Sequence, residues 1–169
     1  LGRFDPVKGL HTAVEALRRV PANLNVRLDV YAAEAPQHRF YAARVREMAA
    51  GDPRIRFHPP RDRGGVAACM AEADALLVPS VWMETGPLVV LEAMAAGLYV
   101  LGSNRGGIAE LVDSPASGEC IAAEDPQSWA EAIARLARRK SEVGLPRLRR
   151  SVRSMADVAA DMMDIYATL

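Results

Sequence analysis

The chain has 169 residues, of which 50% are hydrophobic and 5% aromatic, and its 21 basic side chains balance 21 acidic ones. That length fits one domain able to bury a real core, and the zero net charge excludes a global attraction to nucleic acid or an anionic membrane. With 2 cysteines, no cluster of metal-ligand residues, no signal-peptide pattern and no apolar run near the roughly 20 residues of a membrane helix, the expectation is a cytoplasmic domain with buried thiols.

The opening LGRFDPVKG reads as a strand cut short at its N-terminal end, the pattern of a fragment, and then turns through Asp5 and Pro6. Leu10, Ala13, Val14, Leu17 and Val20 recur at helical spacing and predict a helix over residues 8–20, closed by Pro21. Alternation over residues 26–32 predicts a strand. A helix over 37–50, a short strand over 55–58 ended by Pro59-Pro60, and an Ala-rich helix over 66–73 follow. ALLV at 75–78 is a short buried strand. Next come a helix over 87–96, a strand over 99–101, a short helix over 108–112 and a last strand over 119–122. From Pro126 the chain is helical, with Trp129, Ile133 and Leu136 on one face. A Gly-Leu-Pro break precedes a final helix over 148–166.

Strands alternating with helices of about ten residues imply βαβ units. The fold class is therefore α/β, a doubly wound, Rossmann-like parallel sheet of about six strands with helices on both faces, in a single domain over 1–169. Such sheets bind ligands beyond the carboxyl ends of their strands. The loops after Leu1, Phe57 and Val78 sit at that edge and should face one crevice.

The stretch PSVWMETGPLVVLEAMAAGLYVLGSNRGGIAELV, residues 79–112, carries most of the candidate chemistry. Pro87 suits the first position of a helix capped by Thr85 or Gly86, whose open first turn can hold a phosphate. Glu84 and Glu92 flank that start. On one continuous helix they would lie about 80° and about 12 Å apart, too far for an acid/base dyad but suited to hydroxyls at two ends of a long ligand. Each has a plainer reading, Glu84 complementing the helix dipole and Glu92 lying on a solvated face. Gly2, Arg3 and Lys8 put a glycine and two cations around the first turn, where they suit a diphosphate, or are simply surface residues.

Residues 103–107, SNRGG, either offer N–H groups to a ligand or form a turn, and do not match the dinucleotide fingerprint. His58 ends a strand at the crevice edge, whereas His11 and His38 belong on helix surfaces. Met70, Met83 and Met94 read as core filler. The basic run from Arg135 to Arg153, interleaved with acids, reads as a solvated or interdomain face.

Four motifs in order, GRFDPVKG, RFHPP, PSVWMETGPLVVLEAMAAG with its E-x7-E pair, and SNRGGIAELV, resemble the nucleotide-sugar-binding C-terminal domain of the group 1, or family 4, retaining glycosyltransferases of the two-domain GT-B class. The resemblance covers most of the chain. It implies a hexosyl or glycosyl transfer from a nucleotide diphosphate sugar without metal or cofactor. Arg3 and Lys8 would grip the donor diphosphate, Glu84 the sugar hydroxyls and Glu92 the ribose. Backbone groups of Thr85, Gly86, Pro87, Leu88 and Val89 would line sugar and phosphates, with Gly2 at the first turn and His58 beside the base. Where many members carry an aromatic-Gly pair, this chain has Gly86-Pro87, and Pro87 has no N–H to give. The implied partner is an N-terminal acceptor domain. Other readings are a GT-B epimerase or phosphorylase, for whose pyridoxal lysine only Lys8 and Lys140 are available, and a non-catalytic doubly wound module.

Overall fold

A computed structural model describes residues 1–145, 147 and 149–168. In chain order it contains β1 (Gly2–Arg3), a 3-10 turn (Pro6–Lys8), α1 (Leu10–Arg19), β2 (Leu28–Ala33), a second 3-10 turn (Pro36–His38), α2 (Arg39–Ala49) and β3 (Ile55–His58). There follow α3 (Arg63–Glu72), β4 (Ala75–Val78), α4 (Leu88–Ala96), β5 (Tyr99–Ser103), α5 (Gly106–Leu111), β6 (Gly118–Ile121), α6 (Pro126–Val143) and α7 (Met155–Ala167). Every strand pair is parallel, with Gly2 opposite Ala32, Leu28 opposite Ile55, Ala75 opposite Tyr99 and Val100 opposite Gly118.

The parallel α/β class expected from the alternating pattern is present, but the single sheet of about six strands is not. The strands form two three-stranded sheets, β1-β2-β3 and β4-β5-β6. The cause is the length of β1, whose two residues pair with β2 alone and leave no strand between β2 and β4. Helices join the two halves instead. One core cluster takes Val30 and Ile55 from the first sheet, Leu101 and Ile121 from the second, and Val14, Leu17 and Trp129 from α1 and α6. A second cluster covers the other face of β4 and β5 with Met70, Val90, Met94 and Ile108. Trp129 is fully buried and its indole N–H donates to the Ala122 carbonyl at 3.0 Å. Truncating such a side chain to Ala costs about 3–5 kcal/mol.

Local chemistry moves several helix boundaries. α1 starts at Leu10 because Gly9 takes a left-handed φ of 65° after the 3-10 turn. α3 starts at Arg63 because the Asp62 carboxylate accepts from the Gly65 N–H at 2.8 Å, a side-chain cap. α7 starts at Met155, behind a capping box formed by Ser154 and Asp157. Leu148, taken as the start of that helix, and Pro146 of the preceding break lie outside the described residues. The thiols are not buried as expected, Cys69 being partly covered and Cys120, on edge strand β6, exposed. Met70 and Met94 are core residues, but Met83 is 66% exposed.

The basic run is largely paired: Arg135 with Glu119, Lys140 with Asp74, Arg150 with Asp113 and Arg153 with Asp161. Arg147 donates to the Ala71 and Ala73 carbonyls at the C-terminal end of α3, where a cation complements the helix dipole. Among the described residues no helix is long and apolar enough to cross a membrane.

Candidate functional site

The loop between β4 and α4, residues 79–87, is held from several sides at the carboxyl edge of the strands. The first turn supplies one clamp. Asp5 caps the 3-10 turn by accepting from the Val7 N–H at 3.1 Å, which aims the Val7 carbonyl to accept from the Val81 N–H at 2.9 Å. Gly9 lies so close to Pro79 that a Cβ there would stand 1.8 Å from the Pro79 carbonyl oxygen. No other residue fits without moving backbone.

The SNRGG loop supplies the second clamp. The Gly107 N–H donates to the Glu84 carbonyl at 2.6 Å, and a Cβ on Gly106 would come within 2.7 Å of the same oxygen. Arg105 donates to the Val81 carbonyl and pairs with Glu124 at 3.1 Å. Of the two uses open to SNRGG, the Gly107 N–H is thus spent on shaping the glutamate loop.

These clamps bring Lys8 and Glu84 together. Lys8 Nζ lies 2.8 Å from Glu84 Oε1, and the Ser80 hydroxyl donates to the same oxygen. Burial of Glu84 favours its neutral form, but the hydrogen bonds from Lys8 and Ser80 and the charges of Lys8 and Arg3 outweigh that and hold its pKa below the usual carboxylate range. Arg3 is 65% exposed at the mouth and pairs loosely with Asp5 at 3.6 Å.

Pro87 is the N-cap of α4 rather than its first helical residue, and no side chain caps that end. Its fixed φ suits the cap, and the helix then begins at Leu88 with its first N–H groups open beside the Glu84 loop. Thr85, Gly86 and Leu88 are exposed, Val89 is partly covered and Pro87 is buried. Glu92 is exposed on the second turn of α4. Since Glu84 lies outside the helix, the spacing computed for one continuous helix does not describe the pair.

His58 belongs to a different group. It ends β3, bonds Asp29 at 2.7 Å and stacks on Tyr31 with ring centroids 4.5 Å apart, while the Arg61 guanidinium lies 5.5 Å over the Tyr31 ring. Burial works against ionised Asp29, yet its bonds to His58 and Arg27 keep its pKa low. Sequence reasoning missed Ser80, Arg105, Gly9 and Tyr31. Ser80 and Arg105 act through backbone geometry that their types do not announce, but Gly9 after a Pro-containing turn was a readable signal.

Comparison with known proteins bears on the family and the fold. The family model described as glycosyl transferases group 1 matches residues 1–139. D-inositol 3-phosphate glycosyltransferases from Saccharomonospora viridis and Frankia alni are 35% and 33% identical to the chain, over 147 and 148 residues. Each alignment spans 82% of this chain but only 34% or 36% of the relative, so the chain is about a third of their length. Among solved structures, Anabaena HepE in complex with UDP superposes with a TM-score of 0.83 at 20% identity, over 99% of this chain and 48% of HepE. Sucrose-phosphate synthase from Thermosynechococcus elongatus gives 0.73 at 25% identity, over 99% of this chain and 44% of that one. With the family model covering residues 1–139 of its length, the chain belongs to the group 1 glycosyl transferases, as a C-terminal domain of that family.

Proposed function

We propose that this chain is the donor half of a retaining, metal-independent glycosyltransferase, binding a nucleotide diphosphate sugar at the edge formed by Lys8, Glu84 and the start of α4. The observation that carries the reading is the Lys8–Glu84 contact at 2.8 Å, fixed by Ser80 and by two backbone clamps. An ammonium has three donors. One goes to Glu84 and the others are available to diphosphate oxygens. Both bonds to Glu84 use Oε1, which leaves Oε2 to accept from sugar hydroxyls. Arg3 adds a second cation at the mouth, and the Leu88 and Val89 N–H groups add the positive end of the helix. As the glycosidic bond to the diphosphate breaks, negative charge grows on the leaving phosphate where these groups already sit, and fixed cations and N–H groups stabilise that charge without reorganising.

Glu92 takes the ribose hydroxyls, Gly2, Thr85, Gly86 and Pro87 border the sugar and phosphates, and His58 borders the base. Pro87 gives shape and no hydrogen bond. The family membership and the UDP and UDP-glucose complexes of HepE support a nucleotide-sugar donor. Because the chain spans about a third of its curated relatives, acceptor binding is assigned to a further, N-terminal domain; the setting proposed for the reaction is the cytoplasm. The test is a pair of assays on the 169-residue chain: calorimetry with UDP-, GDP- and ADP-sugars, and radiolabelled sugar transfer to inositol phosphate and sugar phosphate acceptors. Binding of a donor without transfer is expected. Transfer by this chain alone would overturn the division of labour, and failure to bind all three donors would favour a non-catalytic module.

A further inference from the structure

Among the described residues, Glu124 is the one non-glycine residue with a left-handed backbone, at a φ of 61°. That conformation is unfavourable for a residue with a Cβ and free for glycine. Stability does not account for a glutamate there. Its carboxylate pairs with Arg105 at 3.1 Å, but the Arg105 and Glu124 side chains are 39% and 58% exposed, and ion pairs so open to water contribute little to folding. On stability alone, glycine is the better residue at this position.

Position 124 lies where two loops at the carboxyl edge of the strands are joined. The Asn104 N–H donates to the Ile121 carbonyl at 2.8 Å, and the Ala123 N–H donates to the Asn104 side-chain oxygen at 3.3 Å. On the other side, Asp125 caps α6 by accepting from the Gln127 and Ser128 N–H groups. Glu124 is the only residue between these two fixtures. Its carboxylate accepts from Nη2 of Arg105, whose Nη1 donates to the Val81 carbonyl. A guanidinium is rigid and planar, so fixing one Nη sets the direction of the other. The Val81 N–H is already held by the Val7 carbonyl. Val81 is thus gripped at both its N–H and its C=O, three residues before Glu84.

We propose that Glu124 is a positioning residue for donor binding. It holds the Arg105 guanidinium on the Val81 carbonyl and so keeps the loop of residues 79–87 in the shape that presents Glu84 to the sugar. The inference rests on the reading of Lys8 and Glu84 as a donor site. Without the carboxylate, a long side chain with five donors turns to water instead, and its grip on Val81 becomes intermittent.

The test compares the 169-residue chain with Glu124→Gly, Glu124→Gln, Arg105→Met and the double variant Glu124→Gly/Arg105→Met. Each is read by thermal melt, by amide exchange at Val81 against the buried Val100, and by calorimetry with UDP-, GDP- and ADP-glucose. Glu124→Gly is expected to melt at or above the parent, because the left-handed strain is gone. It is also expected to exchange severalfold faster at Val81, with Val100 no faster, and to bind donor severalfold more weakly. Glu124→Gln keeps an oxygen that accepts from Arg105, so its affinity stays close to that of the parent. The double variant binds no more weakly than Arg105→Met, since both changes release the same contact. Donor binding by the parent, with affinity or Val81 exchange unchanged in Glu124→Gly, would overturn this proposal alone. So would affinities that follow the melting temperatures across the set, the mark of a purely structural role. Binding of no donor by the parent would overturn the donor reading and this proposal with it.

Discussion

Glu84 is a carboxylate whose ionisation is tied to folding and, in the proposed donor site, to binding. Its pKa is lowered in the folded state, so its contribution to stability is complete above the ordinary value of 4.5 and is lost as pH falls through the lower folded value. Glu84→Gln therefore flattens the acid side of a plot of melting temperature against pH, and an unchanged acid limb would remove the Lys8 and Ser80 contacts from the account. Lys8 and Glu92 separate by environment. Lys8→Met leaves a carboxylate that is 16% exposed without its partner, a loss of about 1–2 kcal/mol, and weakens donor binding severalfold. Glu92→Ala acts on an exposed side chain, so the melt stays unchanged while donor affinity falls severalfold in calorimetry. Arg3, Lys8 and Glu84 were legible as candidates because charge beside glycine and a helix start stands out in the sequence, but the contact of Lys8 with Glu84 was not. Ser80 was not legible, since a serine becomes a partner only when the loop curls it back four residues onto Glu84.

At the scale of elements, the site depends on loops pressed together by missing side chains. Gly9→Ala combines a left-handed φ of 65° with a Cβ 1.8 Å from the Pro79 oxygen, and the left-handed cost alone is about 1–2 kcal/mol. Unfolding by urea is expected at a markedly lower midpoint, and an unchanged midpoint would mean that the two loops are not in contact. Gly107→Ala is milder. Its Cβ would meet the Glu84 carbonyl oxygen at 3.0 Å, so the Glu84 loop shifts by tenths of an ångström and donor binding weakens with little change in the melt. The strands and most helices were readable from periodicity and from Gly, Pro and Asp punctuation. Pro87 as cap rather than first helical residue, and SNRGG as a buttress, were not, because both depend on where a distant loop lies. Met83 shows the same limit, its apolar type pointing to the core while its loop carries it to the surface.

At the scale of the molecule, parallel class and two-faced packing followed from alternating elements, but the break between β2 and β4 did not, since strand count says nothing of whether a two-residue strand can bridge its neighbours. α7 contributes no buried residue, so a chain ending before Met155 is expected to keep the melting temperature of the parent, and a large drop would show that α7 packs on the body. The central claim is that Lys8 and Glu84 together seat a nucleotide diphosphate sugar. Calorimetric titration of the parent chain, Lys8→Met and Glu84→Gln with UDP-, GDP- and ADP-glucose tests it most directly. The account predicts binding of at least one donor by the parent and severalfold or greater loss in both variants. Affinity that is the same in all three proteins, or absent from all three, would contradict it.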